Sequence, residues 1–143
     1  MTQAAEKVSD VMARHPSSVR AGTDLTDAVE MLLKLKTTGL PVIDTDEHVV
    51  GFLSEQDCLR SRVVSSYHCE GSPTVDDVMH AEVLCVRPDQ ALVDVAEMMV
   101  KQKPKIYPVV DENNRLVGVL TRGQVLSVLK NMRRACEPVS YTH

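Results

Sequence analysis

The chain has 143 residues, 43 % of them hydrophobic and 25 % charged, which is the composition of one ordinary globular domain. With 16 basic against 20 acidic residues, the formal net charge is -4 and no basic stripe is present, which argues against a nucleic-acid binder. No leader-like start, no long apolar run and no framework spacing among four cysteines are present, so we expect a cytoplasmic protein with no membrane span and reduced thiols.

An internal repeat is the strongest feature of the sequence. The two halves align without a gap at an offset of about 67 residues, as from Gly51 to Gly118. VSDVM matches VDDVM, LPVID matches YPVVD, and GFLSEQD matches GVLTRGQ. We therefore predict repeats at residues 8–66 and 75–132, a linker at 67–74 and an irregular tail at 133–143.

The first half predicts a short strand, a helix, two strands and a second helix. The short strand is Val19-Arg20, and Thr23 is the predicted N-cap of a helix with one apolar face. LPVID and VVGFLS then predict two strands joined by the polar turn TDEH, and Ser54 opens the next helix.

The second half repeats this order. Val86-Arg87 is the short strand, an apolar helical face runs from Leu92, and YPVVD and LVGVLT are the paired strands. Thr121 then opens a helix that extends to about Met132. The expected fold is mixed α/β (α+β): two βαββα repeats are related by a pseudo-two-fold axis, their small sheets pack face to face, and the helices lie outside. Such a fold has two equivalent clefts.

The final strand-to-helix turns raise the main functional question. Ser54 to Asp57 and Thr121 to Gln124 both have the hydroxyl-x-x-acceptor spacing of a capping box, for which Asp and Gln serve equally. The same turn also aims helix amides into the cleft, where an anion binds readily. A carboxylate accepts from two vicinal hydroxyls, whereas an amide offers one acceptor oxygen. On this second interpretation, Asp57 suits a diol such as a ribose and Gln124 does not.

The repeated motifs VSDVM/VDDVM, GLPVID/YPVVD and GFLSEQD/GVLTRGQ together resemble a tandem pair of CBS domains, the regulatory motif named after cystathionine β-synthase. The resemblance covers the chain from about Val8 to Leu129. It implies a module with two clefts that binds adenine nucleotides or adenosyl compounds, that commonly forms a flat dimeric disc, and that senses rather than catalyses.

The resemblance also implies binding residues by position. In the main cleft these are the ribose-binding acid Asp57 and its hydroxyl neighbour Ser54, with Thr38, Gly39, Leu40 and Thr23. The equivalent positions of the second cleft are Thr121, Gln124, Ile106, Tyr107, Gln90 and Lys105. Because Gln124 replaces the ribose acid, the second cleft departs from the family pattern.

Charge sharpens the difference between the clefts. Glu55 beside Ser54 repels a phosphate, while Arg122 beside Thr121 attracts one. Family packing draws each cleft from both repeats, so Lys105 is expected to lean toward the Asp57 cleft and offset Glu55. The hypothesis is one competent site, at Asp57, for an adenosine-type ligand with few phosphates.

Other candidate residues point to ordinary roles. The segment His68-Cys69-Glu70, with His80 and Cys85, has no paired zinc spacing, so no metal site is expected. Cys58 is a lone thiol without a placed histidine, which favours packing over nucleophilic attack. Walker, GxSxG and HExxH motifs are absent from the sequence, so no enzyme and no required cofactor are expected.

The leading hypothesis is therefore a stand-alone sensor, a homodimer that binds AMP, ATP, S-adenosylmethionine or a similar ligand and acts on a protein partner in trans. The alternative is a module for dimerisation or protein interaction that binds no ligand, with its clefts filled by side chains.

Overall fold

The computed structural model describes residues 6–65 and 73–130, which form two similar halves of mixed α/β structure. The first half contains α1 (Val8–Val11), β1 (Val19–Arg20), α2 (Leu25–Leu35), β2 (Gly39–Ile43), β3 (Val49–Ser54) and α3 (Glu55–Ser65). The second contains a 3-10 turn (Val75–Asp77), α4 (Leu92–Lys101), β4 (Ile106–Val110), β5 (Leu116–Thr121) and α5 (Arg122–Leu129). The predicted repeat and fold class are confirmed.

The two sheets differ by one strand. Strand β1 runs parallel to β2, which pairs antiparallel with β3, whereas the second sheet contains only the antiparallel pair β4 and β5. The predicted strand at Val86-Arg87 is reduced to a single bridge between Val86 and Val109. In the first half the Ala21 amide extends the ladder to the Ile43 carbonyl. Pro88 occupies the equivalent position in the second half and has no amide hydrogen to donate.

The long helices cover the sheets with their apolar faces. Leu25, Ala28 and Leu32 of α2 are buried, as are Leu92, Val95 and Met99 of α4. The predicted N-cap at Thr23 is wrong by one residue, because the Asp24 carboxylate accepts from the Thr26 amide and the Thr23 hydroxyl instead donates to the Arg20 carbonyl. Helix α5 ends at Leu129, and the rest of its expected extension lies outside the described residues.

The first turn of each repeat packs against the other repeat. Val8 and Met12 belong to the core that also holds Leu92 and Leu120 of the second repeat. Val75 belongs to the core of the first repeat, beside Leu53. This exchange of segments ties the halves together and explains why neither repeat has to bury its core alone.

A third, small cluster lies between the sheets. Ile43, Val49 and Val110 are buried there. The Val49 amide donates to the Asn114 carbonyl at 3.1 Å, and the Leu116 amide donates to the Glu47 carbonyl at 3.0 Å. These two bonds are equivalent under the repeat, so the pseudo-two-fold axis passes between them. Across residues 6–65 and 73–130, no helix has the length and apolar character that crossing a bilayer requires.

Candidate functional site

A buried carboxylate marks the carboxyl end of β3. Asp57 is only 5 % exposed and is the one buried charged side chain among the described residues. Its Oδ2 atom accepts from Ser54 Oγ at 2.7 Å and lies 2.8 Å from His80 Nε2. Its Oδ1 atom accepts from Arg60 Nη1 at 3.1 Å. Three donors therefore converge on a carboxylate that has about four acceptor positions.

The two strand-to-helix turns differ in what the third residue does. In the second repeat, Thr121 and Gln124 form a complete capping box: the Thr121 amide donates to Gln124 Oε1 at 2.9 Å, and the Gln124 amide donates to Thr121 Oγ1 at 3.1 Å. In the first repeat, the Asp57 amide donates to Ser54 Oγ at 3.1 Å, but the Asp57 carboxylate does not return to the Ser54 amide. Gln124 is a cap, whereas Asp57 is directed toward His80.

The histidine that reaches Asp57 comes from the other repeat. His80 follows the 3-10 turn of the second half, and its backbone is fixed by reciprocal hydrogen bonds with Phe52 of β3, both 2.9 Å long. Its imidazole is 62 % exposed. The equivalent residue of the first half is Ala13, which makes the same backbone bridge, to Val119. The carboxylate and the histidine therefore meet at the turn after β3, and the equivalent turn after β5 has Gln124 and Ala13 in their places.

An open cleft of about 490 Å³ lies over this cluster. Its walls come from the end of β3 and the start of α3, from His80, and from the segment before β4; they are Thr38, Phe52, Ser54, Glu55, Gln56, His80, Lys103, Pro104, Lys105 and Ile106. Lys103 and Lys105 are the basic side chains of this lining, and Glu55 is the acid among them. The cleft volume is in the range of small-molecule sites.

Two of the amides at the start of α3, which were expected to face the cleft, already donate hydrogen bonds within the protein. The Glu55 amide donates to the Thr38 carbonyl at 2.8 Å, and the Asp57 amide is bonded to Ser54. A ligand at this end of α3 therefore meets side chains more than open amides.

The structure brings part of the predicted main site together. Ser54, Thr38 and Lys105 line the cleft, and Lys105 approaches from the second repeat as expected. Asp57 does not itself line the cleft but is bonded to two residues that do, Ser54 and His80. Leu40 is 2 % exposed and lies in the core, and Gly39 is also buried in β2. Thr23 is bonded to the Arg20 carbonyl and is not among the residues that line this cleft.

The predicted second site is dispersed. Tyr107, predicted to line the second cleft, is instead fully buried in the core of the second repeat, where a ligand in this structure would not reach it. Gln90 accepts from the Arg87 amide in a turn, Ile106 lines the cleft above Asp57, and Arg122 lies beside an apolar groove between α4 and α5. Thr121 and Gln124 bond to each other, as described above. Burial raises the pKa of Tyr107, and the charge of Arg122 opposes that rise.

Two other sets of titratable groups are explained by core packing and by turn hydrogen bonds. Cys58 is buried in the core of the first repeat, where desolvation and then the charge of Asp57 raise the pKa of its thiol. Asp44, Asp46 and His48 lie together in the turn between β2 and β3, with potential ligand atoms within 4.8 Å of one another. Asp44 accepts from the amides of the other two, which accounts for their grouping.

The segment His68-Cys69-Glu70 lies outside the described residues.

Five residues that line the cleft were not predicted for it, and the two with the clearest chemistry are Lys103 and His80. Lys103 carried no motif, and His80 was considered only as a metal ligand. A signal was available: at the position where the first repeat has Ala13, the second has His80, and the partner turn has Asp57 in place of Gln124. The positions at which the two repeats differ, rather than those at which they match, identify the pair Asp57 and His80.

Comparisons with known proteins identify the family and agree with the fold. The family model described as CBS domain matches residues 8–63 and 75–131. The chloroplastic protein CBSX2 of Arabidopsis thaliana is 31 % identical over 83 % of this chain, which spans 60 % of that relative. The uncharacterized protein MJ1426 of Methanocaldococcus jannaschii is 29 % identical, over 85 % of this chain and 90 % of its own. A crystal structure of CBSX2 in complex with AMP superposes with a TM-score of 0.77 at 34 % identity, covering 90 % of this chain and 98 % of the other.

Proposed function

Because the chain belongs to the CBS domain family and contains two copies of the domain in tandem, we propose that it is a regulatory module that binds an adenosine nucleotide in the cleft above Asp57. The observation that carries the proposal is the buried Asp57 carboxylate with Ser54 beneath an open cleft. The complex of the similar protein CBSX2 with AMP supports the class of ligand.

The charges around the cleft favour a nucleoside phosphate. Asp57 supplies acceptors for ribose hydroxyls, while Lys103, Lys105 and His80 supply donors for a phosphate. Glu55 opposes these cations and limits the phosphate charge that the cleft tolerates. AMP, with one phosphate, fits this balance better than ATP. The proposed role is binding rather than catalysis, because two CBS domains account for residues 8–63 and 75–131.

We further propose that two copies of the chain associate through their helices. An apolar groove between α2 and α3 has an equivalent groove between α4 and α5. At their edges lie exposed apolar side chains: Leu33 (67 %), Leu59 (66 %), Val100 (84 %) and Leu126 (67 %). Apolar side chains that are exposed together in grooves of this kind are usually covered in an assembly. The dimer then acts in trans on a protein partner, because a ligand that favours one arrangement of the repeats shifts that equilibrium.

The test is thermal unfolding of the wild-type protein and of Asp57→Ala at increasing AMP concentration. A ligand at one hundred times its dissociation constant adds about 2.7 kcal/mol to the free energy of unfolding. We expect that stabilisation in the wild-type protein and none in Asp57→Ala. Asp111→Ala is the matched control, because Asp111 follows β4, whose other end, at Ile106, lines the cleft. Stabilisation of Asp57→Ala equal to that of Asp111→Ala would refute the assignment.

A further inference from the structure

The partners of Asp57 leave little room for a ribose. Ser54, Arg60 and His80 use three of the roughly four acceptor positions of the carboxylate. A vicinal diol needs two acceptors. At least one of the present donors therefore has to leave before a ribose binds in the manner proposed above.

His80 is the donor best placed to leave. Ser54 is tied to Asp57 twice, by its hydroxyl and through the Asp57 amide. The Arg60 side chain is as exposed as that of His80, but it follows Asp57 on the same helix, bonds Oδ1 and is not among the residues that line the cleft. His80 instead comes from the other repeat, lies in the cleft wall with an imidazole that is 62 % exposed, and bonds Oδ2. Its backbone is fixed to Phe52, so only its side chain has to rotate.

Resting on the proposed function, we propose that His80 competes with the ligand for Asp57 and thereby selects ligands that carry a phosphate. In the free protein His80 occupies the ribose acceptor. A phosphate in the cleft offers the imidazole a second anionic partner, so a nucleotide compensates for the contact that its ribose displaces. Adenosine displaces the same contact, but it has no phosphate to accept a hydrogen bond from the displaced imidazole. His80 is thus a specificity-determining residue, supplied by the second repeat to the site of the first.

The repeat itself indicates that the substitution His80→Ala is tolerated. Ala13 makes the equivalent backbone bridge, to Val119, as His80 makes to Phe52. The side chain of His80 is mostly exposed, so its removal leaves no buried cavity. The variant reproduces in one half what the other half already contains.

The experiment is calorimetric titration of the full chain with adenosine and with AMP, for the wild-type protein, His80→Ala and Lys103→Ala. We expect His80→Ala to bind adenosine about tenfold more tightly, the effect of removing one competing hydrogen bond to a carboxylate. AMP affinity changes much less, because the variant loses a competitor and a phosphate partner together. The wild-type preference for AMP over adenosine therefore falls about tenfold. Lys103→Ala, which removes a cation from the same wall, weakens AMP binding without tightening adenosine binding.

Each outcome decides the proposal. Tighter binding of adenosine by His80→Ala alone supports it, including the case in which the wild-type protein binds no adenosine and the variant does. If the wild-type protein binds AMP but His80→Ala binds adenosine no more tightly than the wild type does, the proposed competition is wrong. The proposed function would not be affected by that result. An equal gain in Lys103→Ala also overturns it, since general charge would then be the cause. Binding of neither ligand to any of the three proteins overturns both proposals.

Discussion

At the scale of single residues, the difference between Asp57 and Gln124 separates two functions of one turn. Gln124 completes a capping box with Thr121 and satisfies the start of α5. Asp57 does not close the equivalent capping box and instead accepts from donors of both repeats. The residue type alone does not show whether Asp57 caps its helix. The contact with His80 shows that the carboxylate is directed away from the cap position, and that contact depends on which half the segment of His80 packs against.

Asp44 and Asp111, which follow β2 and β4, lead us to expect that acid lowers the free energy of unfolding. Backbone amides of His48 and Arg115 chiefly lower the pKa of Asp44 and Asp111, respectively, below the ordinary aspartate value of 3.8. A lowered pKa in the folded state means that the stabilisation is present above the unfolded-state pKa and is lost as the pH falls through the folded-state pKa.

We expect NMR titration of both carboxyl groups to give midpoints below 3.8 in the folded protein. We also expect the free energy of unfolding of Asp111→Asn to fall less steeply with acid than that of the wild-type protein. Midpoints at or above the ordinary value, or identical acid profiles, would contradict the role given to the backbone amides.

At the scale of elements, the strand pairs were predictable and the exchanged first turns were not. LPVID and VVGFLS correspond to β2 and β3 within a residue, because short apolar runs bounded by a polar turn have few alternatives. The pairing of Val8 with the second core, and of Val75 with the first, follows from packing between halves. An internal repeat leaves open which copy of a core a segment joins. The cleft residues Lys103 and His80 escaped prediction for the same reason.

A glycine on each long strand lets the exchanged segment approach closely. A Cβ atom on Gly51 would lie 2.9 Å from the His80 carbonyl oxygen, and one on Gly118 would lie 3.0 Å from the Ala13 carbonyl oxygen. These neighbours are backbone atoms held by ladder hydrogen bonds, so they yield little. We expect Gly51→Ala and Gly118→Ala each to lower the free energy of unfolding by about 1–3 kcal/mol.

Denaturant unfolding measures that change, with Gly123→Ala as the control. A Cβ atom on Gly123 would have 3.9 Å to its nearest neighbour, Thr121 Oγ1, and Gly123 lies in α5, where alanine is the better helix former. The control should therefore be neutral or slightly more stable. Gly51→Ala as stable as Gly123→Ala would show that the approach of the exchanged segment is not tight.

At the scale of the whole molecule, the pseudo-two-fold axis makes the apolar grooves equivalent and the binding clefts unequal. The grooves between α2 and α3 and between α4 and α5 use matching positions of the two repeats, and both retain apolar residues. The strand-to-helix turns, by contrast, have diverged into a cap and a buried carboxylate. Selection for association would preserve the first pattern, and selection for one ligand per chain would permit the second.

The proposed dimer predicts the effect of a charge placed in each groove. We expect the double variant Leu59→Glu, Leu126→Glu to be a monomer by sedimentation velocity at concentrations where the wild-type protein is a dimer, because each carboxylate would be buried without a partner in the interface. Leu35→Glu is the control, since Leu35 is 43 % exposed and lines neither groove. A wild-type monomer, or a double variant that still dimerises, would contradict the assignment of the interface.

We propose that one cleft per chain binds an adenosine nucleotide and that Asp57 holds it. Calorimetric titration of the wild-type protein with AMP is the decisive test, because it reports stoichiometry and affinity together. We expect one site per chain, lost in Asp57→Ala. Two sites per chain, or an Asp57→Ala protein that binds AMP as tightly as the wild type, would contradict it.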